Sequence, residues 1–304
     1  NSYHLFYNIH MDSTAVHDLA LINVDDLLES LGMGNIRHGR RLLHRLLYFA
    51  GRRFALQVKD YDDGVEQFGL QAGSKRILGQ FIDSLTVTGH ECLPEEGPLL
   101  VLANHPGMTD TLALFASLPR NDLRVVATDR PFLRALPATR KQLIFVPPEG
   151  EGRISVLRSI AAHLRAGGAV LTFPAGEIEP DPACMPGALR ALERWSDSAG
   201  FFARLVPEAC IVPAIVSGVI ATPSLRHPLT RLRRKQKDRE KLAASLQIVV
   251  RTFAPRMWPV HVKVQFGAPL APASLVELRD PGKITAAVVG YVRGFMLENH
   301  IASS

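Results

Sequence analysis

His105 and Asp110 are the residues of this sequence best placed to do acid–base chemistry, and they lie in Asn104-His105-Pro106-Gly107-Met108-Thr109-Asp110. Five residues is about one and a half turns at 3.6 residues per turn. A tight turn through Pro106 and Gly107 would bring the Asp110 carboxylate to His105 Nδ1. That contact fixes the tautomer and leaves Nε2 free as a general base, the logic of a serine-protease triad without its serine. The same heptapeptide also fits a satisfied histidine beside a helix-capping aspartate.

Other candidate chemistries fail on spacing. Cys92, Cys184 and Cys210 are scattered, lack metal-ligand spacing and cannot all pair, so a reduced protein without a metal is expected. Ser217 has no G-x-S-x-G elbow around it. Asp60, Asp62, Asp63 and Gly64 suggest a calcium loop, but the glycine comes one place early and Gln71 stands where the closing glutamate belongs.

The elements around His105 set its position. An apolar run at 98–103 reads as a buried strand and 111–118 as a helix, which puts His105 at the carboxyl end of a strand, where open α/β sheets bind ligands. Beyond it the pattern alternates. Strands are expected at 123–128, 143–147, 169–173, 210–220, 246–253 and 260–266; helices are expected at 131–140, 154–165, 187–195 and 284–299. This predicts an α/β fold, a mostly parallel central sheet flanked by helices. Ahead of it, helices are expected from Asn23 to about Leu31, across 40–54 and across 65–82. The expected organisation is a remnant of foreign sequence at 1–10, an N-terminal helical subdomain at 11–83, and a catalytic α/β domain at 84–304.

Asn104-His105 with Asp110 resembles the N-H-x-x-x-x-D signature (NHx4D) of the glycerolipid acyltransferases, the superfamily that includes lysophosphatidic-acid acyltransferases. The stretch 87–98 is similar to that family's strand and G-x-E-x-x-P-x-x-G-P turn. Phe173-Pro174-Ala175-Gly176-Glu177 resembles its F-P-E-G-T block, in the F-P-A-G-E form of the hemolysin-like branch. Ile211-Val212-Pro213-Ala214-Ile215 resembles its V-P-V-x-I block, and Phe266-Gly267-Ala268-Pro269-Leu270 its closing strand and turn. The likeness covers roughly residues 85 to 270.

The resemblance implies transfer of a fatty acyl group from a thioester, acyl-CoA or acyl-ACP, to a hydroxyl of a lyso-glycerolipid or related lipid acceptor, with no cofactor. His105 would be the base and Asp110 its orienting partner. Asn104, with nearby backbone N–H groups, would stabilise the oxyanion, and Pro174, Gly176, Glu177, Arg153 and Pro213 would belong to the substrate-binding set. The sequence departs from the family in two places. Ala175 holds the usual glutamate position, with Ile178-Glu179-Pro180 replacing threonine-arginine-serine. The strand end Val146-Pro147-Pro148 lacks the arginine that holds an acceptor phosphate, leaving Arg140, Lys141 and Arg153 as stand-ins. Lysophosphatidic acid is therefore not the expected best acceptor. A thioester hydrolase using the same dyad, or a non-catalytic lipid-binding protein on this fold, are the alternatives.

A net charge of +6 fits anionic partners. Nucleic acid is not expected, since no zinc-finger spacing, RNP-like block or aromatic-interleaved basic strand occurs. No apolar stretch reaches the ~18 residues of a spanning helix. The stripe Leu43, Leu46, Leu47, Ala50 and Phe54 beside Arg40, Arg41, Arg45, Arg52 and Arg53 fits either membrane-surface docking or packing on the main domain. The basic run 226–241 fits a solvated helix face or a phosphate contact. A cytoplasmic protein, peripheral to the inner face of the membrane, is the expectation.

Overall fold

Five consecutive residues, Leu99–Ala103, form a strand (β2) with no exposed surface at all. A strand covered on both faces reads as a continuous apolar run, as this one does. Each of its leucines contributes about 1.5–3 kcal/mol by burial. The computed structural model describes residues 2–36, 38–147, 152–270, 275 and 280–301, with side chains from residue 14 onward and without that of Arg153.

Around β2 stand β1 (Ser84–Thr88), β3 (Arg124–Thr128), β4 (Leu143–Val146), β5 (Ala169–Thr172), β6 (Cys210–Ser217) and β7 (His261–Phe266). They make a seven-stranded sheet in the order β1-β7-β6-β2-β5-β3-β4. Every pairing is parallel except β6 with β7. Two apolar cores flank it, one built on Leu99, Val101 and Ala103, the other on Leu100 and Leu102. This alternation along β2 is the period of two of a strand. The fold is thus the expected α/β layering, and the carboxyl ends of β2, β5 and β6 lie side by side.

The N-terminal region is helical but differs from expectation in its breaks. Helix α1 spans Ser2–Ser30 and runs through the residues set aside as a remnant. Helix α2 spans Arg40–Leu78 and contains the aspartates once considered for a loop. Its single break is Gly69, at φ 82° and ψ 170°, a conformation that glycine alone adopts readily. Beyond it the chain folds back so closely that a Cβ on Gly73 would lie 2.6 Å from Val65 N. Asp62 is buried and anchors this hairpin to the sheet domain. It accepts from Ala138 N at 3.0 Å, Thr139 N at 2.8 Å and Thr139 Oγ1 at 2.7 Å.

Two further expectations need correction. The β-branched run 246–253 is the second half of helix α9 (Gln236–Phe253). What decides is the i, i+4 face Ala243, Gln247 and Arg251, all buried, with Gln247 bonded to Ala221 N and Val219 O, and Arg251 to Asp83. The helix expected at 131–140 is two short pieces, α4 (Pro131–Arg134) and a 3-10 turn at Thr139–Gln142. Helices α5 (Arg153–Arg165), α6 (Ala188–Ala191), α7 (Ser198–Leu205), α8 (Thr222–Leu225) and α10 (Pro281–Glu298) complete the described α-helices with α3 (Met108–Ser117). Among the described residues no helix is long and apolar enough to cross a membrane.

Candidate active site

Leaving β2, the chain turns at His105 and enters α3 at Met108. Asp110 is the third residue of that helix. Its Oδ2 accepts from the Gly107 N–H at 3.4 Å, the backward reach of a capping carboxylate. The same oxygen lies 2.7 Å from His105 Nδ1, while Oδ1 accepts from Thr111 N at 2.6 Å and Thr111 Oγ1 at 3.2 Å. One carboxylate thus both caps the helix and contacts His105 Nδ1. Four donors surround a carboxylate with no solvent exposure.

The imidazole is held on one side and partly open on the other. Phe173, just past β5, lies against the ring with centroids 4.5 Å apart and planes at 31°. His105 Nε2 has no hydrogen-bond partner among the described residues, and the side chain remains 27% exposed. Burial by itself depresses the imidazolium. The Asp110 charge and hydrogen bond, with help from Glu179, outweigh burial and the repulsion of Arg130, so the histidine pKa is raised.

Asn104 is not free to meet a substrate. Its Nδ2 donates to Val216 O at 2.9 Å and its Oδ1 accepts from Val216 N at 2.7 Å. The buried amide thus extends the β2–β6 ladder past the end of the backbone pairing and braces the turn from behind. The oxyanion role expected of it is not what this geometry serves.

The substrate-binding candidates separate in the same way. Pro174 is buried, with its carbonyl accepting from Ser196 N at 3.0 Å. Gly176 forms the exposed tip of the loop at φ 65°. Glu177 forms an ion pair with Lys237 and sits 3.4 Å from Arg194, which hold its carboxyl below the ordinary range, chiefly through the Lys237 hydrogen bond. It clasps the loop to the start of α9 and is not aimed at the dyad. Pro213 is buried in β6 opposite Leu102, and its carbonyl accepts from Gly267 N at 2.8 Å. It packs within the sheet. Arg153 opens α5, but its side chain lies outside the described residues, as do Pro148 and Glu149 of the departing strand end.

Glu179, Asp181, Gly218 and Arg130 are not singled out by spacing. Glu179 is buried and accepts from His105 N at 3.0 Å and from Trp195 Nε1 at 3.0 Å. Asp181 is buried and accepts from Gly218 N, Ala183 N and Ile220 N, each at 2.9 Å, pinning the same loop to the end of β6. Gly218 must be glycine: φ is 73° and a Cβ would lie 2.2 Å from His261 O. Arg130, just past β3, is exposed and its side chain makes no hydrogen bond or ion pair among the described residues. It nonetheless acts electrostatically on both His105 and Asp26 of α1. Only its place after a strand at the same sheet edge could have pointed to it.

No group of three or more histidine, cysteine, aspartate or glutamate residues suited to a metal occurs among the described residues. What the arrangement offers is an oriented, partly exposed imidazole, the cation Arg130 acting on it, and the first N–H groups of α3, which have no acceptor within the helix. Such a set suits proton removal from a nucleophile that attacks a carbonyl.

Comparison with known proteins gives a family match over part of the chain. Residues 84–217 match the family model described as Acyltransferase. No curated protein matches the chain. Among solved structures, a similar chain is the 1-acyl-sn-glycerophosphate (LPA) acyltransferase PlsC from Thermotoga maritima. It is 16% identical with a TM-score of 0.47, over 91% of this chain and 95% of that one.

Proposed function

From the match of residues 84–217 to the Acyltransferase family model, we propose that this chain belongs to the glycerolipid acyltransferase superfamily and moves a fatty acyl group from an acyl thioester to a hydroxyl of a lyso-glycerolipid or related lipid. His105 Nε2 takes the hydroxyl proton as the acceptor oxygen attacks the thioester carbonyl. Asp110 holds the ring and balances the imidazolium. The tetrahedral oxyanion sits at the first N–H groups of α3, at Met108 and Thr109, since Asn104 is engaged with Val216. Collapse expels the thiolate, which recovers the proton from the imidazolium. No covalent acyl-enzyme and no cofactor take part.

The observation that carries this reading is the 2.7 Å contact between His105 Nδ1 and a wholly buried Asp110, with the ring itself partly exposed and Nε2 without a partner among the described residues. Arg130 supports an acceptor or donor bearing an anionic head, because it brings an unpaired guanidinium to the same edge. The donor is acyl-CoA or acyl-ACP. Incubating the purified protein with mixed acyl thioesters and a panel of lyso-lipids, with products read by mass spectrometry, tests the reading. Acylated lipid is the expected product; free fatty acid alone, with or without acceptor, would favour a hydrolase.

Attachment to an anionic membrane face belongs to the same proposal. The α2 residues Leu43, Leu47 and Phe54 are half-buried against the protein. Leu42, Leu46 and Phe49 are exposed by 62%, 68% and 67%. Their spacing of four and three puts them on one helical stripe, and Arg41, Arg45, Arg52 and Arg53 beside them are exposed. An apolar stripe rimmed by arginines suits a bilayer surface.

A further inference from the structure

Beyond Ala103 the β2 ladder has ended, yet His105 must keep a fixed backbone in a buried setting, where unpaired N–H and C=O groups are costly. One residue supplies both partners. The Glu179 side chain accepts from His105 N at 3.0 Å, and the Glu179 N–H donates to His105 O at 2.8 Å. Its second oxygen accepts from Trp195 Nε1 at 3.0 Å, which fixes the carboxylate in turn.

We propose that Glu179 is a positioning residue for His105, holding the histidine backbone from both sides and adding a second negative charge beside Asp110 to favour the imidazolium. This rests on His105 acting as the base. It assigns a role to the Ile178-Glu179-Pro180 segment that departs from the family's block. The charged groups acting on His105 are Asp110, Glu179 and Arg130, the first two favouring the cation and the third opposing it. Glu179 in turn feels burial, which raises its own pKa, against the Trp195 and His105 bonds and the charges of His105 and Arg194. Asp181 offers an internal contrast. It lies in the same loop and is equally buried, but it bonds only the backbone around Gly218 to Ile220 and its own loop, without acting on His105.

A purely structural fastener and a positioning charge differ in what they do to the ring. Glu179→Gln has one acceptor oxygen for two donors, so it disturbs the clamp as well as the charge. Glu179→Gln with Trp195→Phe removes the competing donor, leaving the amide oxygen for His105 N and the charge absent. Chain carrying 13C-labelled histidine is titrated by NMR, with the His105 signal identified by its loss in His105→Asn. The expected result is a His105 midpoint lower in the double variant than in Trp195→Phe, with the acid limb of kcat/KM moving the same way. Glu179→Gln alone should also lose on the order of 10–100-fold in kcat through misplacement of the base. Asp181→Asn should leave the His105 midpoint where it is. A double variant titrating like Trp195→Phe would overturn the proposal. Should the double variant fail to fold, Glu179→Gln alone is compared with wild type, with the same two outcomes. The titration needs no turnover, so a wild-type chain without transferase activity would sink the functional reading while the ring still reports on Glu179.

Discussion

Asp110 Oδ2 lies 2.7 Å from His105 Nδ1, and the aspartate is wholly buried while the histidine is about a quarter open. Burial disfavours the charged ring, but the neighbouring carboxylates prevail and raise the histidine above its ordinary 6.5. Two consequences follow with defined sign. A general base works as neutral imidazole, so kcat/KM should rise with pH through a midpoint above 6.5. The stabilisation from this pair is fully present below the unfolded histidine pKa and is lost as pH rises through the raised folded value. Asp110→Asn should lower that midpoint and cost about 10²–10⁴-fold in kcat. A pH–rate profile of both proteins checks it; an unchanged midpoint in Asp110→Asn would contradict the pairing.

Much of this was legible in the sequence, and the reasons are local. The wholly apolar β2, the Pro106-Gly107 turn and the five-residue His–Asp spacing specify one another within a dozen residues. What escaped notice depends on long-range contact. Gln247 and Arg251 look like interruptions of a strand until Ala221 and Asp83 are placed beside them. Asn104 reads as a site residue until Val216, 112 positions later, closes on its amide. Glu179 and Arg130 carry no local signal at all; the sheet order alone brings their loops to the edge that holds His105. The stripe on α2 was read as one face, whereas the helix has one apolar face packed and another exposed.

Because Asn104 pairs both polar groups of Val216, its loss is foremost a stability change. Asn104→Ala leaves a buried N–H and C=O unpaired, each costing ~1–3 kcal/mol. Denaturant unfolding should show a loss of about 3 kcal/mol. A variant as stable as wild type but catalytically dead would return Asn104 to the oxyanion.

The strand end at Val146-Pro147 suggested that phosphate-bearing acceptors are poorly served. Arg130, exposed just past β3 at the same sheet edge, is the cation on which that expectation can be tested. Arg130→Ala should reduce kcat/KM about tenfold or more for a lyso-lipid with a phosphate monoester head, as expected for loss of a charge-assisted contact of about 1.5–3 kcal/mol. A neutral lyso-lipid should be affected much less. Equal losses for both acceptors would remove Arg130 from head-group recognition.

Membrane attachment through α2 predicts strong binding to anionic vesicles, weak binding to zwitterionic ones and release by salt. Leu42→Ser with Leu46→Glu replaces two side chains that are 62% and 68% exposed and should abolish sedimentation with vesicles while leaving the melting temperature in place. Unchanged sedimentation would assign attachment elsewhere.

The central claim is that His105 removes the acceptor proton during acyl transfer. Its most direct measurement is product mass spectrometry on purified His105→Ala protein given acyl-CoA and lyso-lipid, with circular dichroism showing an intact fold. The account predicts that acylated lipid falls to the level without enzyme. Wild-type turnover in that folded variant would contradict it.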